Sequence, residues 1–175
     1  MTGIHHGARV VVVMGVSAPG KSTVGTQLAQ HLGVPFLEGD ELHPAANLAK
    51  MASGHPLDDD DRRPWLASLT EWISSAAASG RGGVAACSAL KREYRDQFRR
   101  TGADVWFVHL ALDRAVARER IAHRKGHFMP PRLLDSQYAI LDPLQADEPG
   151  LTVDASGSPG EVLAAALRSV AGPDR

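Results

Sequence analysis

The sequence predicts a three-layer α/β/α fold built around a central parallel sheet. Runs of β-branched and apolar residues alternate along the chain with segments whose apolar residues recur at helical spacing. This alternation is typical of a parallel sheet that is covered by helices on both faces. The chain has 175 residues, of which 43% are hydrophobic and 22% are charged. This composition is that of an ordinary globular protein, and the length suits one domain, so we expect residues 1–175 to form a single domain.

The first elements follow from apolar spacing and from the residues that end each segment. Residues 9–14 form a β-branched run without polar alternation, as expected for a strand buried on both faces. Val24, Leu28 and Leu32 lie four residues apart, which predicts an amphipathic helix that Gly33 ends. The predicted elements of the first half are a strand at 9–14, a helix at 21–32, a strand at 34–37 and a helix at about 44–51.

The later elements repeat the strand and helix alternation. An acidic loop at 58–61 is expected to precede a helix that Pro64 opens, because proline suits a first helical turn and acids suit a helix N-terminus. Pro159 is expected to open the terminal helix in the same way. The predicted elements of this part are a helix at 64–79, a strand at 82–88, a helix at 91–100, a strand at 104–112, helices at 114–124 and about 132–141, a strand at 151–154 and a helix from 158 to about 170.

Charge and composition exclude several classes of protein. The chain has 19 Lys and Arg against 20 Asp and Glu, a net charge of -1, which gives no global electrostatic case for nucleic-acid binding. The single cysteine, Cys87, cannot form an internal disulfide and fits a reducing compartment. The apolar run near the start is far shorter than the ~20 residues of a membrane span, and no signal-peptide pattern precedes it. We therefore expect a cytoplasmic protein that binds neither nucleic acid nor membranes.

Residues 15–22 form the strongest motif. They read Gly-Val-Ser-Ala-Pro-Gly-Lys-Ser and satisfy G-x-x-x-x-G-K-[ST], with a buried strand before them and an amphipathic helix after them. Backbone N–H groups of such a loop bind phosphates, Lys21 would reach the β- and γ-phosphates, and the Ser22 hydroxyl would bind Mg²⁺. Pro19 has no N–H, so the loop offers one donor fewer. The predicted ATP site consists of Gly15, Ser17, Ala18, Pro19, Gly20, Lys21, Ser22 and Thr23.

A second group of polar residues follows the second predicted strand. Asp40 lies at the carboxyl end of that strand, where ligands of open α/β sheets bind. Its carboxylate could accept a hydrogen bond from an attacking hydroxyl or hold a metal-bound water, and the alternative is that it caps the next helix. For His43 the sequence allows two interpretations, a ligand contact or a surface histidine. Arg62 would suit a bidentate pair with a carboxylate substrate. The acids at 58–61 lack the pattern of a calcium loop, so we expect them to be solvated or capping.

A basic segment follows the fourth predicted strand. Arg120 and Arg124 lie four residues apart on one helix face, and Gly126 follows them as a hinge beside His127 and Phe128. This pattern fits a lid at about 120–135 whose arginines close over the transferring phosphate and exclude water. We expect Arg120 and Arg124 to contact phosphate, with Arg124 acting in catalysis.

Further motifs carry a family resemblance. They are Met14 to Ser22; Glu38-Gly-Asp40 with His43-Pro44; Asn47 with Lys50 to Gly54; Pro56-Leu57 with Asp59 to Arg62 and Pro64 to Leu66; Cys87 to Lys91 with Tyr94-Arg95; Arg124 to Met129; and Leu133-Leu134 with Ser136-Gln137. Together they resemble the gluconokinases, small phosphate-loop kinases related in fold to shikimate kinases and nucleoside-monophosphate kinases. The resemblance covers residues 12 to about 141.

The resemblance implies an activity: ATP-dependent phosphorylation of D-gluconate on its 6-hydroxyl. It implies that Asp40 faces the acceptor hydroxyl and that the gluconate contacts are His43, Arg62, Lys91 and Gln137, with His127 of the lid completing the substrate-binding set. The strand at 82–88 has no terminal Asp of the Walker B type, so Mg²⁺ would rely on Ser22, phosphate oxygens and waters, with Asp40 as a further ligand. The family is usually dimeric, on which the sequence is silent. The rival interpretations are a kinase for another small hydroxy acid such as shikimate, a nucleoside-monophosphate kinase, and a nucleotide-binding switch.

Overall fold

Five parallel strands and the helices around them make up the part of the chain that the structure, a computed structural model, describes: residues 9–18, 20–123 and 131–171. The elements are β1 (Val10–Met14), α1 (Lys21–Leu32), β2 (Phe36–Glu38), a 3-10 turn (Gly39–Leu42), α2 (Ala45–Ala52), α3 (Asp59–Ala78), β3 (Gly83–Ala86), α4 (Arg92–Arg99), β4 (Val105–Ala111), α5 (Arg114–Ala122), α6 (Pro131–Ile140), β5 (Gly150–Asp154) and α7 (Pro159–Ala171). The strands are ordered β2-β3-β1-β4-β5. The predicted α/β fold with a central parallel sheet is therefore confirmed.

The central strand β1 is buried on both faces because its two neighbours and two layers of helices enclose it. In its register, Val12 pairs with Ala85 of β3 and with Phe107 of β4. Alternate residues of a strand lie on opposite faces of the sheet. Val11 and Val13 accordingly join the core that α1 and α7 cover, while the other residues of β1 join the core under α3 and α4. This two-sided burial explains the unbroken apolar run in the sequence.

One helix begins earlier than the sequence predicts. Helix α3 begins at Asp59, five residues before Pro64, so most of the predicted acidic loop forms its first turn. The Asp58 carboxylate accepts from the Asp61 N–H at 2.8 Å, and the Asp61 carboxylate accepts from the Asp58 N–H at 2.9 Å. This capping box satisfies N–H groups that a helix start leaves without partners, and it outweighs the preference of proline for the first turn. The expected capping role of these acids is confirmed for Asp58.

The parallel arrangement sets the place of the functional site. The carboxyl ends of all five strands lie at one edge of the sheet, so the segments that follow the strands come together there. They include the loop 15–20, the turn Gly39–Leu42 and the residues 88–90 and 155–158. In the described ranges, no helix combines the length and the apolar character needed to cross a membrane.

Candidate active site

The loop between β1 and α1 has the backbone that its glycines allow. Gly15 has a φ of +140°, and a Cβ there would lie 2.7 Å from the Leu110 carbonyl oxygen, so a larger residue does not fit without a shift. The Gly15 N–H donates to the Ser88 carbonyl at 3.1 Å, which ties the loop to the end of β3. Gly20, with a φ of +85°, is the residue before the first turn of α1. The predicted loop residues therefore lie together before a helix N-terminus, which favours anions. Pro19 lies outside the described residues.

Lys21 lies in the first turn of α1 and folds its side chain back over the loop. Its ammonium donates to the Gly15 carbonyl at 3.0 Å and to the Val16 carbonyl at 2.7 Å. These bonds hold the positive charge against the loop that would receive the phosphates. A phosphate oxygen offers a stronger, charge-assisted partner than a carbonyl.

Glu38 is a candidate functional residue that the sequence interpretation left unassigned. The Ser22 hydroxyl donates to the Glu38 carboxylate, and Glu38 is the last residue of β2. Its position two residues before Asp40, at the carboxyl end of the same strand, is the sequence signal that could have identified it. The structure thus places a carboxylate beside the hydroxyl that was predicted to bind Mg²⁺.

Two cavities of about 380 Å³ each flank the phosphate loop. The first is lined by Arg120 and by small or apolar residues of the phosphate loop, of α1 and of the segment after β5: Ala18, Gly20, Thr23, Val24, Ala155, Gly157, Pro159 and Val162. Arg120 donates to the Ser156 carbonyl at 3.1 Å. Arg120 does not line the second cavity, which contains Lys21. The structure therefore places Arg120 in the first cavity, on the side of the loop away from the predicted acceptor.

The second cavity contains most of the predicted acceptor residues. Lys21, Asp40, His43, Arg62 and Gln137 all line it, together with Ser17, Trp65, Ser88, Leu90 and other residues of α2 and α6. Asp40 is exposed within the 3-10 turn. The alternative that Asp40 caps the next helix is wrong, because the residue before α2 is Pro44.

His43 is held in the wall of this cavity and is not a surface histidine. Its ring stacks on Trp65 with the ring centroids 4.5 Å apart and the planes 9° apart. The Trp65 indole N–H donates to the Gly39 carbonyl at 2.8 Å, which fixes the indole in turn. Burial lowers the pKa of His43, Asp40 opposes that shift and Arg62 adds to it. The imidazole is therefore neutral at neutral pH.

A charged cluster borders the cavity at Arg62. The Arg62 guanidinium donates to the Tyr94 hydroxyl at 3.2 Å, and that hydroxyl donates to the Asp59 carboxylate at 2.5 Å. Lys91 donates to the same carboxylate at 2.9 Å. The bond from Tyr94, followed by that from Lys91, lowers the pKa of Asp59. Lys91 does not line the acceptor cavity, so among the described residues that were predicted to contact gluconate it is the one that the structure does not bring into the cavity.

Hydrogen bonds of Gln137 and Arg95 hold segments that line the cavity. The Gln137 side-chain carbonyl accepts from both the N–H and the hydroxyl of Ser17, at 2.9 and 3.0 Å. The Arg95 guanidinium is fully buried and donates to both oxygens of Glu148, at 2.7 and 3.0 Å. It also donates to the Ala89 carbonyl at 2.8 Å, and Ala89 has a φ of +44°. Arg95 thus supports the segment after β3 that lines the cavity.

Cys87 directly follows β3 and is buried. Burial raises its pKa to about 12. A thiol at that pKa is not a nucleophile near neutral pH, which agrees with its predicted role as a small buried residue.

The donor set at the loop fits a magnesium ion. A hydroxyl and a carboxylate are the oxygen ligands that Mg²⁺ prefers, and this ion usually keeps several waters and binds to few protein groups. Ser22 and Glu38 are in contact, and Asp40 follows Glu38 by two residues. Within the described ranges, no group of three or more His, Cys, Asp or Glu side chains is close enough together to hold a metal on its own. An ion at this place would therefore depend on phosphate oxygens and water as well.

Comparison with known proteins gives a consistent assignment. A family model described as an AAA domain matches residues 10–144. Gluconokinase of Gluconobacter oxydans is 47% identical over 160 residues, which cover 91% of this chain and 90% of the relative. Thermoresistant gluconokinase of Escherichia coli is 40% identical over 153 residues, which cover 87% of each chain. The crystal structure of a gluconokinase from Sinorhizobium meliloti matches with a TM-score of 0.86 and 43% identity, covering 94% of this chain and 93% of that one. The chain belongs to the gluconokinase family.

Proposed function

We propose that the protein transfers the γ-phosphoryl group of ATP to the 6-hydroxyl of D-gluconate, giving 6-phosphogluconate, and that it acts in the cytoplasm. The observation that carries this proposal is that Lys21 of the phosphate loop and Asp40 line one cavity. His43 and Arg62 add a neutral imidazole and a guanidinium to the same cavity. A small carboxylate substrate with several hydroxyls suits that lining.

The phosphate loop would hold the donor. Backbone N–H groups at the N-terminus of α1 would bind the phosphates of ATP, and the Lys21 ammonium would exchange the Gly15 and Val16 carbonyls for phosphate oxygens. Ser22, Glu38 and Asp40 would hold Mg²⁺, which neutralises charge on the phosphates when bound. Arg120 lines the first cavity, which would take the nucleoside. Arg124, which lies outside the described residues, remains the predicted lid arginine.

The acceptor residues would orient the alcohol. Arg62 would pair with the gluconate carboxylate, and the His43 imidazole would hydrogen-bond a hydroxyl of gluconate. The Asp40 carboxylate would accept the proton of the 6-hydroxyl while that oxygen bonds to phosphorus and the bond to the ADP oxygen breaks. Because this transition state is loose, the demand on a base is modest, and orientation provides much of the rate. His127 also lies outside the described residues and remains a prediction.

The test is ADP formation by the purified full chain with ATP, magnesium and one acceptor at a time. We expect turnover with D-gluconate and none above background with shikimate or AMP. Turnover with shikimate or AMP but not with gluconate would contradict the proposed substrate.

Asp40→Asn tests the acceptor side of the site, with Glu41→Gln as a matched control that removes a carboxylate from the neighbouring exposed residue. Asp40→Asn is expected to lower turnover by about 10²-fold, the lower end of the general contribution of acid–base catalysis, and still to bind ATP through Lys21 and the N–H groups of the phosphate loop. Glu41→Gln is expected to retain turnover. Equal rates for the wild type and Asp40→Asn would remove Asp40 from the reaction.

A further inference from the structure

Gln137 touches both sides of the site. It lies on α6, lines the acceptor cavity, and accepts two hydrogen bonds from Ser17, the third residue of the phosphate loop. Because the amide oxygen accepts hydrogen bonds from both the N–H and the hydroxyl of Ser17, the orientation of the amide is assigned. Its NH₂ group is then the part that can donate to other partners. One side chain therefore has its oxygen on the nucleotide loop and its remaining donors beside the acceptor cavity.

Nucleotide binding is expected to change the hydrogen bonds of the phosphate loop next to Ser17. Lys21 donates to the carbonyls of Gly15 and Val16, the two residues before Ser17. Phosphate oxygens compete for the same ammonium. When Lys21 turns to phosphate, the peptide groups next to Ser17 lose those bonds, while bound phosphate fixes the loop in one conformation. Gln137 is a side chain of α6 that hydrogen-bonds that part of the loop.

We propose that Gln137 is a positioning residue that couples the nucleotide site to the acceptor cavity, so that an occupied phosphate loop tightens the binding of D-gluconate. Phosphate that fixes the loop also fixes the two Ser17 donors that hold the Gln137 amide, and an amide held by fixed donors costs less to order when gluconate binds. By linkage, D-gluconate tightens nucleotide binding by the same factor. This inference rests on the proposed function, since it takes D-gluconate as the ligand of the cavity.

The experiment is calorimetric titration of D-gluconate into the full chain, with and without magnesium and the β,γ-imido analogue of ATP. In the wild type, the analogue is expected to lower the Kd of gluconate by at least ~5-fold, the lower end of common coupling factors. Gln137→Met keeps the length of the side chain and removes the acceptor for Ser17, so the two Kd values should become equal. Ser136→Ala is the matched control. Ser136 lines the same cavity but donates to the Leu133 carbonyl of its own helix at 2.7 Å, so this variant should keep the wild-type ratio.

A second variant examines the bond itself. Ser17→Ala removes the hydroxyl donor and keeps the N–H donor, so its ratio should fall between those of the wild type and Gln137→Met. In the Gln137→Met background, Ser17→Ala should not change the ratio further. An equal ratio in the wild type and in Gln137→Met overturns the inference, as does a wild-type ratio of one. In both cases gluconate still binds, so the proposed function stands. Absence of gluconate binding under every condition contradicts the proposed function and the inference with it.

Discussion

Removing the buried Arg95 guanidinium tests how the cavity wall is held. Arg95 and Glu148 have fully buried side chains, and their two hydrogen bonds measure 2.7 and 3.0 Å. The same guanidinium donates to the Ala89 carbonyl at 2.8 Å and to the Asp142 carbonyl at 3.0 Å. Arg95→Met leaves the buried Glu148 carboxylate and the carbonyls of Ala89 and Asp142 without these donors. Breaking a buried pair in this way costs about 3–5 kcal/mol, which is a large part of the 5–15 kcal/mol of a typical domain.

Urea unfolding followed by tryptophan fluorescence measures this loss directly. Arg95→Met should lower the midpoint without changing the slope, which reports the surface exposed on unfolding. Arg92→Met is the matched control. Arg92 lies on the same helix and pairs with Asp147 at 2.8 Å, but the Asp147 side chain is 68% exposed, so the loss should be much smaller. The double variant Arg95→Met with Glu148→Leu removes the isolated carboxylate and should recover part of the loss. A loss below ~1 kcal/mol for Arg95→Met, a scale found for exposed pairs, would refute the reasoning.

Three further predictions concern the loop and the core beneath it. Lys21→Ala should lower kcat by at least ~10²-fold in the ADP assay, the scale of losing one transition-state donor; an unchanged kcat at saturating substrates would exclude Lys21 from the mechanism. Gly15→Ala should weaken ATP binding by calorimetry, because its Cβ would lie 2.7 Å from the Leu110 carbonyl, and wild-type affinity would show that the loop accommodates it. Burial lowers the pKa of His109 from 6.5 to about 4. Between these two pH values His109 is therefore protonated in the unfolded chain and neutral in the folded chain. Its contribution to stability therefore falls by about 2 kcal/mol between pH 7 and pH 5. Urea unfolding at both pH values should show this loss in the wild type and a smaller one in His109→Gln; equal losses would contradict it.

Sequence reasoning worked best where one local rule decided the outcome. Helix α1 spans the predicted residues because its apolar spacing and the left-handed Gly33 at its end agree. The start of α3 was wrong because two local rules competed, and the capping box of Asp58 and Asp61 prevailed over Pro64.

The candidate site was harder to predict, because much of it depends on contacts between distant residues. Lys91 pairs with Asp59, which lies 32 residues away, and no spacing rule indicates that pair. Ala155, Gly157 and Pro159 line the first cavity, but their side chains have no functional group that a motif would identify. Their place beside the loop is predictable only from the rule that all parallel strands end at the same edge.

The most direct test of the central claim is a crystal structure of the full chain with the β,γ-imido analogue of ATP, magnesium and D-gluconate. The account predicts the γ-phosphate at Lys21 and the 6-hydroxyl of gluconate within hydrogen-bonding distance of the Asp40 carboxylate, with both ligands meeting in one cavity. Gluconate bound elsewhere, or bound with its 6-hydroxyl directed away from Asp40 and the γ-phosphate, would contradict it.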